Sequence, residues 1–470
     1  MTNPERTRHR KHLERKCASV IRQNPQLDRT LVSFQANKSL PFYNWFKYKE
    51  GFSVPMVHYF LRALTNQPGR LLDPFAGSGT ALFASRDLGW EATGIELLPV
   101  GIAIIEARKA VERIDLKSLA GAVKTTQNVD FFSYQPEEPL FKHITITKGA
   151  FPPETEIQLN GYLTYCRNEI NNPDIKAFLQ FAVFCILENI SYTRKDGQYL
   201  RWDYRSGRTR VKTPFDKGKI YPFKEALAIQ LERMLTDLCN DQMILFGVTE
   251  TLQKKALRVI QGSCLNELCN LSDNSFDIVV TSPPYCNRYD YTRTYALELV
   301  FLEKGEEDVK QLRQEMLSCT VENRAKVDLL KSLYTKNGRV DLFNAAMNAF
   351  RGQEALQEVL RWLYIYKNEG RLNNANIPRM VENYFLEMAL VIFELSRVLR
   401  SGGKIVMVND NVRYAGEEVP VDLILSDIAE AAGLSTRHIW ILETGKGNSS
   451  QQMGKYGRSE LRKCVYIWEK

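Results

Sequence analysis

Short apolar runs recur along the chain, at Arg70–Asp73, Glu91–Glu96, Leu257–Ser263, Phe276–Ser282, Lys404–Asp410, Arg437–Glu443 and Lys463–Trp468. They are too short for helices and rich in Ile, Val and Leu, which predicts strands. Between them, apolar residues return at helical spacing over Thr80–Leu88, Leu97–Val111, Pro378–Leu399 and Val421–Ala432. Ser401-Gly402-Gly403 and Gly433 supply glycine stops for the last two. Strands alternating with helices predict an α/β fold built on one parallel, seven-stranded Rossmann-like sheet.

Two gaps between these elements exceed ordinary connections and read as largely helical insertions. The predicted organisation is a basic N-terminal arm (1–40), core (41–113), an insertion that is the candidate substrate-recognition region (114–253), core (254–302), a helical insertion (303–375) and core (376–470). The arm opens with Arg6, Arg8, Arg10, Lys11, Arg15 and Lys16, which suits either a solvated tail or a phosphate-binding arm.

Composition narrows the class. Hydrophobic residues make up 44% of the 470 and charged residues 25%, a globular balance that excludes a wholly disordered chain. The 63 basic against 55 acidic residues leave +8, which permits an acidic partner. The apolar runs Ala177–Ile190 and Met388–Leu399 are short and carry Glu188 and Glu394, so they read as core helices rather than membrane spans. Nine scattered cysteines behind a polar start favour a reducing, cytoplasmic setting without disulfides.

The first chemistry lies in Leu71-Leu72-Asp73-Pro74-Phe75-Ala76-Gly77-Ser78-Gly79-Thr80, a strand running into a glycine turn and a helix. Such a turn brings backbone N–H groups against a ligand at the helix start. The next strand ends in Gly94-Ile95-Glu96, and an acidic residue there is placed for the two hydroxyls of a ribose. Together these predict a nucleoside-type cofactor. No G-x-x-x-x-G-K-[ST] pattern points to a phosphate-cradling ATPase.

The fourth strand runs directly into Ser282-Pro283-Pro284-Tyr285. The two prolines stop the sheet and leave rigid carbonyls facing a cleft. An exocyclic amine on a nucleobase is a poor nucleophile, because its lone pair is delocalised into the ring. The Ser282 hydroxyl and Pro283 carbonyl are acceptors able to hold its hydrogens and favour a pyramidal nitrogen. Tyr285 offers a flat face on which a base can stack.

The pair DPFAGSGT and SPPY resembles the S-adenosylmethionine-dependent amino-methyltransferases of DNA, a class I methyltransferase fold. Serine at the first position of the second motif is typical of the cytosine-N4 type. Phe42-Tyr43-Asn44-Trp45-Phe46, Asn287-Arg288-Tyr289-Asp290-Tyr291 and Asn448-Ser449-Ser450-Gln451-Gln452 also look like this family. The resemblance covers the core and not the insertions. It implies that Asp73, Phe75, Ala76, Gly77, Ser78, Gly79 and Thr80 wrap the methionine part of the cofactor, that Glu96 binds its ribose, and that an aromatic or backbone group from Phe42–Ser53 closes the pocket. The family typically shows Gly-Asp after the third strand; here Gly262-Ser263 stands in its place, and a serine hydroxyl can still accept from the adenine amine. Double-stranded DNA is the implied substrate, with a cognate restriction endonuclease acting on the same site without a stable complex.

Adenine N6, an RNA amine, or a binding protein that has lost catalysis are the alternatives. Covalent attack on cytosine C5 is disfavoured because Tyr285 separates Cys286 from the prolines. Cys286 reads as packing, His58 as a structural histidine, and Cys264 and Cys269 lack the partners for a zinc site; no metal is expected. The segment Arg194–Lys219 holds nine basic and three acidic residues interleaved with Tyr199, Trp202, Tyr204 and Phe215. Arg194, Lys195, Arg201, Arg205, Arg208 and Arg210 are therefore the candidate DNA contacts, with the helical insertion 303–375 as competitor.

Overall fold

The computed structural model describes residues 4–196, 199–208, 214–248, 255–442 and 460–470. Twelve strands are present among them: β1 (Ile21–Gln23), β2 (Arg70–Asp73), β3 (Glu91–Glu96), β4 (Thr193–Asp196), β5 (Tyr199–Trp202), β6 (Leu257–Gln261), β7 (Phe276–Thr281), β8 (Leu399–Asp410), β9 (Val412–Tyr414), β10 (Glu417–Val419), β11 (Ser435–Ile441) and β12 (Lys463–Glu469). The central sheet runs β1-β11-β12-β8-β7-β2-β3-β6. All seven expected strands lie in it, so the α/β class I methyltransferase architecture stands.

Two expectations are corrected. The sheet has eight strands, because Ile21–Gln23 adds itself parallel to β11 at the edge. It is also mixed: β12 lies antiparallel between β8 and β11. Neither feature leaves a local mark, since three residues are too few for a period and strand direction is set by the connections.

The strands alternate across the sheet as their sequences demand. On one face Val279, Ile405, Met407, Tyr466 and Trp468 pack into a core shared with the helices Val340–Gly352, Glu354–Asn368 and Ile377–Val398. On the other face Ile278, Val280, Val406, Val408, Val465 and Ile467 meet the helices Val54–Leu64 and Thr80–Asp87. A residue shifted by one position would change faces, which fixes the register.

The two insertions differ in kind. Within residues 303–375, the helices Val327–Lys336, Val340–Gly352 and Glu354–Asn368 merge with the main core. The other insertion builds its own core from the helices Leu116–Gln127, Pro153–Glu169, Pro173–Ile190 and Phe223–Val248, joined by Trp45, Phe46, Tyr48 and Tyr295. It also carries the hairpin β4–β5.

The N-terminal basic stretch is part of the fold. Residues Arg8–Cys17 form a helix in which Arg10 is buried and paired with Glu358 at 2.7 Å and also with Glu417. Lys16 pairs with Asp427 and Glu430. These contacts fasten the start of the chain to the second insertion and the C-terminal third.

Candidate active site

The chain winds outward in both directions from the β2/β7 pair: β3 and β6 lie to one side, β8 to the other. Ligands of open α/β sheets bind in the crevice that such a reversal leaves beyond the strands' C-terminal ends. Here those ends are Asp73, Glu96 and Thr281, followed by Ser282.

The glycine turn and Glu96 form one hydrogen-bonded unit. Glu96 accepts from the backbone N–H of Gly77 and of Leu98, both at 2.6 Å. Burial nonetheless pushes its carboxyl up to about 7. Asp73, also buried, accepts from Thr281 Oγ1 at 2.7 Å and Phe75 N–H at 3.1 Å. Its carboxyl is likewise raised to about 7 by burial. Its other oxygen, Oδ2, has no hydrogen-bond partner among the described residues.

A cavity opens above this unit. Phe75, Ala76, Gly77, Ser78, Thr80, Glu96, Gly262 and Ser263 line it, together with Ser282 and Pro284. Asp73 and Gly79 stand behind the wall rather than in it. Gly79 has φ +76°, and a Cβ there would fall 2.8 Å from Ile105, so this glycine serves the turn and its packing. A Cβ on Gly77 would instead meet the Tyr48 ring at 3.0 Å. Tyr48 stacks on Tyr295 at 5.4 Å and closes the cavity together with Glu50, Gly51 and Phe52.

This cavity suits the cofactor that the resemblance implies. Glu96 would supply the acceptor for paired hydroxyls, and Leu97, Leu98, Met316 and Leu317, which also line the cavity, would supply apolar walls for a flat ring. Ser263 donates to the Glu315 carbonyl at 2.8 Å, which leaves its oxygen free to accept from an amine.

A second, wider cleft shares Glu50, Gly51, Phe52, Ser282 and Tyr291 with the first. Tyr285, Asn287, Tyr289, Asp410, Lys463, Arg29 and Lys49 also line it. Ser282 Oγ lies 3.2 Å from the Val408 carbonyl and 3.3 Å from Tyr285 Oη. Burial, then the nearby Asp410, raises the Tyr285 phenol, so it stays a neutral aromatic face. Pro283 is buried behind the loop and lines neither space.

The chain aligns with type II methyltransferase M.AvaI of Nostoc sp. (strain PCC 7120 / SAG 25.82 / UTEX 2576) at 46% identity over 478 residues, covering 99% of this chain and 94% of that protein. M.AvaI of Anabaena variabilis matches equally. M.BsoBI of Geobacillus stearothermophilus is 40% identical over 97% of this chain and 91% of its own length. The chain belongs to the type II methyltransferase family. No family model and no solved structure matches it. The likeness of this type II methyltransferase to M.AvaI and M.BsoBI extends through both insertions.

The basic hairpin of the methyltransferase divides into inward and outward cations. Lys195 is buried, with Nζ 2.5 Å from Glu298 and over the rings of Phe46 and Tyr295, so it faces the interior instead of the expected surface. Arg205 is held on Asp203 at 2.7 and 2.9 Å. Arg201 pairs with Asp196 at 3.2 Å, and Arg208 lies over Trp202 while donating to the carbonyls of Thr145 and Ile146. Arg194 is exposed. Arg210 and Asn448–Gln452 lie outside the described residues.

Sequence reasoning missed Glu50, Asp410, Met316 and Leu317. Tyr289 and Tyr295 both donate their hydroxyls to Glu50, a convergence that no local spacing announces. Cys286 is fully buried and His58 Nε2 lies 3.0 Å from the Ala84 carbonyl, which are the packing and structural roles expected of them.

Proposed function

We propose that this methyltransferase transfers a methyl group from S-adenosylmethionine to the N4 amine of cytosine at a specific site in duplex DNA. Its role would be modification alongside a cognate restriction endonuclease, in the cytoplasm. The observation that carries this reading is the meeting of two spaces at Ser282: the Glu96 cavity on one side and the Tyr285 cleft on the other.

When bound, S-adenosylmethionine supplies a methyl group on a sulfonium, already a strong electrophile. The task left to this chain is positioning. A base extruded from the duplex would enter the wider cleft and stack on Tyr285. Ser282, with its hydrogen directed to the Val408 carbonyl, keeps lone pairs to accept an N–H of the exocyclic amine. That bond strengthens as the nitrogen gains positive charge, so it favours the transition state over the ground state. The buried Pro283 and the adjoining Pro284 hold the loop rigid, which conserves the alignment. The open cleft lets water take the proton that the methylated nitrogen releases.

Transfer of labelled methyl from S-adenosylmethionine to duplexes rich in candidate sites tests this reading. Label in cytosine of cleaved DNA supports it. Label in adenine would change the base while keeping the amine mechanism, and label only in RNA would refute the DNA substrate.

A further inference from the structure

We propose that Lys38, Lys47, Lys49 and Arg194 form a track for consecutive DNA phosphates beside the base cleft, an assignment that rests on the DNA reading above. Lys47 and Lys49 alternate with the buried Phe46 and Tyr48. Because Tyr48 is fixed over Gly77 and against Tyr295, both lysines are held outward. Lys49 lines the Tyr285 cleft itself and donates to the Lys195 carbonyl at 3.1 Å. That bond joins the segment to the hairpin β4–β5.

On the hairpin, Lys195 points inward and Arg194 outward. Arg194 stands directly across from Arg201 in the register, a like-charge pairing that costs stability in a sheet. Arg201 is relieved by Asp196. Lys38, Lys47, Lys49 and Arg194 make no ion pair among the described residues, and all four are exposed. Their proximity is felt at Lys47: partial burial and then repulsion from Lys49, Lys38 and Arg194 lower its pKa, against the pull of Glu188. Arg29 also lines the cleft.

Four exposed cations without ion pairs among the described residues, one of them, Lys49, lining the cleft, fit a row of separate oxyanions, whereas the neighbouring Lys195 and Arg205 are neutralised. Lysine ammonium groups are point charges suited to phosphates rather than to base edges. The track therefore positions the duplex over Tyr285 without reading its sequence.

The test is salt-dependent binding of a mixed-sequence 30-base-pair duplex to the full chain, followed by anisotropy. The variant Lys38→Gln/Lys47→Gln/Arg194→Gln spares Lys49, which bonds the hairpin. Three lost phosphate contacts should make the slope of log K against log salt shallower by about 2 to 3. Affinity at low salt should fall at least tenfold, with cofactor affinity and thermal midpoint retained. An unchanged slope in a folded variant overturns the track while leaving the methylation reading intact. A wild type that neither binds duplex nor methylates it would sink the function itself. Tighter binding of hairpin RNA, with the loss confined to RNA, would overturn DNA as the partner.

Discussion

Thr281 Oγ1 donates to Asp73 Oδ1 at 2.7 Å, joining the C-terminal ends of two paired strands, one leading into the glycine turn and the other into Ser282-Pro283-Pro284-Tyr285. Both residues are buried. A single hydrogen bond thus ties the cofactor side of the site to the base side.

Thr281→Val removes that donor and leaves Asp73 with only the Phe75 N–H. The expected cost is about 1 to 3 kcal/mol, the penalty for a buried acceptor that loses its partner. Urea unfolding measures it. A variant as stable as the wild type would show that the bond contributes nothing.

Asp73 and Glu96 both have carboxyls raised to about 7 by burial. An unfolded carboxyl titrates near 4, so the folded state holds these protons more tightly. Their contribution to stability is fully present below the unfolded value and is lost as pH rises through about 7. Asp73→Asn should therefore gain stability relative to the wild type as pH is raised from about 4 to about 7. Unfolding midpoints across that window check the sign; a constant difference would contradict it.

The two turn glycines should fail differently. Gly79→Ala places a Cβ 2.8 Å from Ile105 at φ +76°, so it should lower stability by about 1 to 3 kcal/mol through strain. Gly77→Ala, at φ +53°, carries similar strain but also pushes toward the Tyr48 ring at 3.0 Å on the cavity wall, so it should weaken cofactor binding as well as lower stability. Calorimetry paired with thermal melts separates them, and the reverse pattern would contradict the assignment.

Lys195→Met strands Glu298 in a buried position. Breaking such a pair costs about 3 to 5 kcal/mol, and the loss should appear in stability rather than in the salt slope of DNA binding. A large change in slope with an unaltered melt would return Lys195 to the DNA surface.

The strands that carry the site were legible because their chemistry is local. Asp73, Glu96 and Thr281 stand at the observed strand ends, and the Gly77 turn follows directly. The fold's edge and the site's far walls were not. Met316 and Leu317 reach the cavity from an insertion more than 200 residues beyond Glu96, and Glu50 becomes central only through two tyrosine hydroxyls. The basic segment shows the same limit: composition reports charge, but the pairing of Lys195 with Glu298 and of Arg205 with Asp203 is decided by packing.

The central claim is that Ser282 and Tyr285 present an exocyclic amine of cytosine to the methyl donor. Nucleoside mass spectrometry of DNA from cells expressing the wild type, Ser282→Ala, Tyr285→Ala and the double variant tests it most directly. Loss of the Tyr285 ring alone should cost about 1 to 3 kcal/mol of base stacking, with the fold kept. The account predicts N4-methylcytosine in the wild type, less of it in each single variant and none above background in the double variant. N6-methyladenine as the sole product would contradict the base assignment, and wild-type N4-methylcytosine in the double variant would contradict the mechanism.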